Sequence, residues 1–226
     1  MIIVKKKRKY IYLCVFGILL LVLVFTVYVY NSFIIVSVGH NDKFTKERVG
    51  IIDTYLSKEH DNIVYGGYSG KIDEEANTHG DMVVSFLDDI GYQDTIYYYS
   101  AWNGTKTDTE GIISGLEWML KNGVNRVSIS LSSKKYSKEL SDWVKTHNEL
   151  TIYSSYNNKL NTVADYPAMY EGIIGIGSDG RIPFKDSDIK YRTSKMLLIK
   201  NGRFKSYYGN SFLTSYTMLI MKDKNK

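Results

Sequence analysis

The chain has 226 residues, 44% hydrophobic and 14% aromatic, with one cysteine. That suits one compact domain plus an added segment, and it excludes bulk disorder, an internal disulfide framework and a cysteine-based zinc site. The net charge of +5 is local: Lys5, Lys6, Lys7, Arg8 and Lys9 lie in an acid-free N-terminal stretch, and the other 24 basic residues balance 24 acidic ones. A surface without basic excess is a poor match for a phosphate backbone, so no nucleic-acid partner is expected.

From Ile11 to Tyr30 no residue is charged. As a helix this stretch spans about 30 Å, the thickness of a bilayer's hydrocarbon core. A buried core helix rarely stays apolar on every face for so long, and a signal peptide has a shorter apolar run with small residues at its exit. Tyr10, Tyr12, Tyr28 and Tyr30 sit where interfacial aromatics belong. We therefore expect a cytoplasmic basic segment over 1–9, a transmembrane signal anchor over 10–30 that contacts lipid through residues 11–30, and an outward-facing domain over 31–226. Cys14 lies inside the span and reads as a small apolar filler.

The remaining elements alternate strand with helix. Val49–Ile52 is a short buried-strand pattern ending at Asp53. Asn77–Ile90 has helical spacing in Met82, Val83, Phe86, Leu87 and Ile90 and stops at Gly91. Thr95–Ser100 is strand-like. Asp108–Lys121 is an amphipathic helix capped by Thr107 or Asp108. A strand over Val127–Leu131, a helix near Lys138–His147 and strands over Leu150–Ser155 and Gly172–Gly177 follow. Met196–Ile199 and Ser211–Met221 read as a further strand and a closing helix. Such alternation implies a parallel sheet covered on both faces, with function at the carboxyl ends of its strands.

Asp53, His79 and Ser211 fall at strand or helix edges in that order. A serine nucleophile needs an imidazole to take its proton, and the imidazole needs a carboxylate to fix its tautomer. Each residue alone reads equally well as a cap or turn; their surroundings decide. Val49-Gly50-Ile51-Ile52-Asp53-Thr54, Thr78-His79-Gly80 and Tyr208-Gly209-Asn210-Ser211-Phe212 resemble the Asp, His and Ser boxes of subtilisin-like serine peptidases. Between them, Gly111–Met119 resembles the helix after the His box and Val127–Ser132 the substrate-lining strand. Tyr166-Pro167-Ala168 with Gly172–Gly177 is similar to the segment past the oxyanion residue.

The resemblance implies an α/β, three-layer domain with a mainly parallel sheet, preceded here by one transmembrane helix. It also implies a serine endopeptidase (a hydrolase) acting on peptide or protein substrates, and tethering favours exported or membrane-proximal ones; no loop resembles the family's calcium sites, so no metal and no cofactor are expected. Asp53, His79 and Ser211 would be catalytic. Asn157, with Asn158 as the one-residue alternative, would donate to the oxyanion from the place of the family's small-small-Gly-Asn motif. Ser130, Leu131, Ser132, Ser154, Ser155 and Tyr156 would line substrate. Asp165 falls at the pocket floor, where a carboxylate would favour Lys or Arg, or it is a surface aspartate in a polar loop.

Departures from the family pattern are Tyr55 for Gly after the Asp box, Tyr156 for a Gly, and a bulkier serine box without proline. They motivate a second reading, a degenerate module that binds peptides without cleaving them. Tyr156 is expected to narrow the specificity pocket. With no room for a long propeptide between Tyr30 and Val49, the domain is expected to fold unaided or with a partner. His40, His60 and His147 sit in polar stretches and read as solvated.

Overall fold

The computed structural model describes residues 2–38, 43–68, 77–157, 165–178 and 185–221; His40 and Asn158 lie outside them. The chain opens with helix α1 (Ile2–Ser32). Its Cys14–Ser32 part is long and apolar enough to cross a membrane, and none of its residues is buried. Its large apolar side chains, such as Leu21 and Phe25, are exposed.

Strands β1 (Ile34–Ser37), β2 (Val49–Asp53) and β3 (Ile63–Gly67) precede helix α2 (His79–Asp89). Then come β4 (Ile96–Ser100), α3 (Thr109–Lys121), β5 (Arg126–Ile129), α4 (Lys138–Thr146), β6 (Thr151–Ser155) and β7 (Ile173–Gly177). Strands β8 (Ile189–Lys190), β9 (Lys195–Lys200) and β10 (Arg203–Tyr208) lead into helix α5 (Asn210–Ile220). Seven strands form a parallel sheet in the order β3-β4-β2-β5-β6-β7-β8. Every residue of β2 is buried, as a central parallel strand requires.

Alternation along β2 sends Ile51 to one face and Ile52 to the other. On the first, Val83, Phe86 and Leu87 of α2 and Leu213 and Met218 of α5 pack with Ile51, Tyr98 and Tyr153. On the second, Ile112, Leu116 and Met119 of α3 and Leu140 and Val144 of α4 pack with Ile52, Val127 and Ile152. The result is a helix–sheet–helix sandwich with three layers.

A second, three-stranded sheet has the order β1-β9-β10, with β1 parallel and β10 antiparallel to β9. Sequence patterning indicates β9 but not β1, β3 or β10. β10 is exposed along nearly its whole length, and β3 is an edge strand with two exposed central residues, so neither carries a clean apolar alternation. The expected strand Val127–Leu131 instead covers Arg126–Ile129. Arg126 enters the strand buried because its guanidinium pairs with Glu47 and donates to the carbonyls of Met218 and Met221 at the end of α5.

Candidate active site

The site is built where three element ends meet. Asp53 closes β2 with no exposed surface, and the Thr54 N–H donates to its Oδ1 at 2.7 Å. His79 opens α2, whose N-cap Thr78 forms a capping box with Asp81: the Asp81 N–H donates to Thr78 Oγ1 at 3.1 Å and the Thr78 N–H to Asp81 Oδ2 at 2.8 Å. Asp81 also accepts from the backbone and hydroxyl of Ser57. One carboxylate thus locks the loop after β2 to the start of α2. Burial alone would raise its pKa; the hydrogen bonds from Ser57 and Thr78 outweigh this and hold it below the usual aspartate value.

Gly80 must be small, because a Cβ there would stand 1.9 Å from the Tyr98 hydroxyl. That hydroxyl donates to the Thr54 carbonyl at 2.7 Å, and the Gly80 N–H donates to Thr54 Oγ1 at 3.0 Å. Ser211 lies in the first turn of α5. The preceding Gly209 has φ 143°, a backbone conformation L side chains rarely adopt. Asn210, 1% exposed, donates through Nδ2 to the Tyr156 carbonyl at 2.9 Å and accepts from the Ser178 hydroxyl at 2.6 Å. It ties the start of α5 to the ends of β6 and β7.

These supports bring three side chains together. His79 Nδ1 lies 2.8 and 2.9 Å from the two Asp53 oxygens, and His79 Nε2 lies 3.1 Å from Ser211 Oγ. Burial lowers the pKa of His79, but the hydrogen bond and charge of Asp53 exceed that effect, so the imidazole sits above its ordinary value. An imidazole in this position is able to take the hydroxyl proton, and the Ser211 N–H in the first turn of a helix faces developing negative charge favourably.

No protein-family model matches the chain. Over 153 residues, 58% of this chain, it is 29% identical to subtilisin DY of Bacillus licheniformis, and the match covers 56% of that protein. It is 26% identical over 149 residues to the minor extracellular protease Epr of Bacillus subtilis strain 168, again 58% of this chain but 23% of the relative. A cold-adapted subtilisin-like serine proteinase of known structure superposes with a TM-score of 0.57 at 20% identity, covering 78% of this chain and 74% of that one. The chain has a subtilisin-like fold and resembles subtilisin-like proteases in sequence. It spans about half or less of the length of the curated relatives it matches.

The other expected site residues of this subtilisin-like chain are distributed around the same end of the sheet. Asn157 follows β6, and its backbone N–H donates to Asp165 Oδ2 at 2.8 Å. Asp165 is 2% exposed, so it is a buried carboxylate rather than a surface loop aspartate. Tyr156 is 3% exposed, and its hydroxyl donates to Asp188 at 2.6 Å. Ser154 and Ser155 are buried, Leu131 packs against the α3–α4 core, and Ser132 is exposed. The hydroxyls of Ser130 and Ser154 are buried without a hydrogen-bond partner among the described residues.

Two histidines differ from expectation. His60 is not solvated: its side chain is 19% exposed, with Nδ1 3.8 Å from Asp88 Oδ2. His147 stacks on Trp143 at 4.1 Å between ring centroids, and its Nδ1 lies 2.8 Å from the Trp143 carbonyl. Both follow polar residues in sequence, but each rests against a helix end that local polarity does not reveal. Sequence reasoning also missed Thr54, Asp81 and Asn210 as supports. Only Asp81 had a local signal, a Thr-x-x-Asp pattern before an apolar run.

Proposed function

We propose that the chain is a membrane-anchored serine endopeptidase whose domain works outside the cytoplasm. The observation that carries this reading is the unbroken line from Asp53 through His79 to Ser211. In the mechanism, Ser211 Oγ attacks the scissile carbonyl as His79 takes its proton. Asp53 holds the imidazole tautomer and stabilises the imidazolium. The Ser211 N–H and the Asn157 side-chain amide donate to the oxyanion. His79 then protonates the leaving amine, and water, activated by the same imidazole, releases the acyl group. One relative named as an extracellular protease and one named as a subtilisin support this assignment, as do the acid-free basic residues Lys5–Lys9 near the start of α1 and the positive-inside rule. Tethering favours substrates at the membrane, exported or co-anchored peptides, by raising their local concentration.

The full chain in nanodiscs tests the reading by fluorophosphonate labelling. The wild type should label at Ser211, Ser211→Ala should not, and His79→Ala should label slower by about 10⁴–10⁶. If the folded wild type labels no faster than Ser211→Ala, the peptide-binding alternative replaces the enzyme.

A further inference from the structure

The small sheet β1-β9-β10 has two unlike faces. Its register puts Val36, Met196, Leu198 and Tyr207 on one side, where Val36, Met196 and Leu198 are buried in the core. By the period-two alternation of strands, Ile35, Leu197, Ile199, Phe204 and Tyr208 share the opposite side. That side is uncovered: Phe204 is 70%, Tyr208 59% and Ile35 47% exposed. Three large apolar side chains standing together in water need a partner.

The position of the face identifies that partner. Helix α1 ends at Ser32 and β1 starts at Ile34, so a single residue separates the span from the sheet. Two Cα steps reach about 7 Å, and the headgroup layer is about 5–8 Å deep on each side of the hydrocarbon. The junction is also braced: Arg192 lies over the Tyr30 ring at 4.4 Å from its centroid and donates to the Phe33 carbonyl. Charge agrees with position. Between Ile189 and Met221 stand Lys190, Arg192, Lys195, Lys200, Arg203 and Lys205, with no acidic residue, in a domain whose charges balance overall. Lys195 lies exposed on the uncovered face beside Tyr208, its partner in the register.

We infer that the outer face of β1-β9-β10 docks into the outer leaflet, with Phe204, Tyr208 and Ile35 among the headgroups and Lys195 against anionic lipid. Tyr208 is three residues before Ser211, a reach of about 11 Å. Docking therefore brings Ser211 close to the bilayer surface, and the substrate class it selects is peptide at or emerging from the membrane. This rests on the proposed membrane-spanning role of α1.

The test uses the full chain in nanodiscs of phosphatidylcholine and phosphatidylglycerol whose acyl chains are brominated near the headgroup. Two variants carry a reporter tryptophan: Phe204→Trp on the sheet and Phe25→Trp in the span. The three native tryptophans lie on neither element and provide the background. Docking predicts that Phe204→Trp loses emission comparably to Phe25→Trp. Adding Lys195→Gln should lower the docked-to-free ratio about fivefold, as expected for about 1 kcal/mol at an anionic surface. Quenching of Phe25→Trp alone overturns docking and leaves the anchor standing. Quenching of neither overturns both. Protection of Phe204→Trp from an aqueous quencher without loss to brominated lipid assigns the face to a protein partner and overturns docking.

Discussion

His79 is held between two opposing influences. Burial disfavours its charged form, while the Asp53 carboxylate, within 2.9 Å of Nδ1 through both oxygens, favours it more strongly. The base acts only when neutral, so kcat/KM should rise with pH through an inflection above the ordinary imidazole value of 6.5. Asp53→Asn should move that inflection down, since only the burial effect remains, and should reduce kcat by about 10⁴. An inflection unmoved by Asp53→Asn would show that the carboxylate does not govern the base. The same shift has a stability consequence. A raised folded pKa contributes stability that is fully present below the unfolded value and is lost as pH rises through the folded one. The fold should therefore weaken slightly above pH 6.5, in the range where catalysis turns on.

At the scale of elements, the turn before β7 is organised by one lysine. Lys185 Nζ donates to the carbonyls of Ala168, Tyr170 and Ile173 at 2.6, 2.8 and 2.6 Å, with Asp188 Oδ1 at 3.3 Å. Asp188 in turn accepts from the Gly175 N–H and the Tyr156 hydroxyl. The ammonium thus links the turn to the end of β6, where Asn157 begins. Burial lowers the pKa of Lys185 and Asp188 only partly offsets this, as for a cation kept charged by its own ligands. Lys185→Met removes the charge and strands three carbonyls and a carboxylate. It should destabilise the fold by about 3–5 kcal/mol, read as a fall in Tm of about 10 °C by circular dichroism in detergent. An unchanged Tm would mean that the turn is held by its packing alone.

For the whole molecule, the short junction between α1 and β1 couples topology to function. A domain joined through Phe33 alone has no tether on which to roam. If the basic residues Lys5–Lys9 near the start of α1 stay cytoplasmic, protease added to intact cells should digest residues 31–226 and leave the span. Protection of the domain until lysis would reverse the orientation.

Much of this organisation was legible beforehand, because helix and strand periods are local. The stripe of α3, the Gly91 stop of α2 and the buried run of β2 each lie within a dozen residues, and charge segregation marks off the N-terminal apolar helix without any fold. The Asp, His and Ser boxes could be read as motifs. Their convergence could not, since a side chain 132 positions from His79 reaches it only through the sheet order and the start of α5. Likewise Asn210, the burial of Arg126 and the pairing of β1 with β9 depend on partners remote in sequence. Composition and periodicity decide what each segment is, since they act between neighbours; tertiary structure decides what each segment meets, since hydrogen-bond partners and burial exist only after the chain has closed on itself.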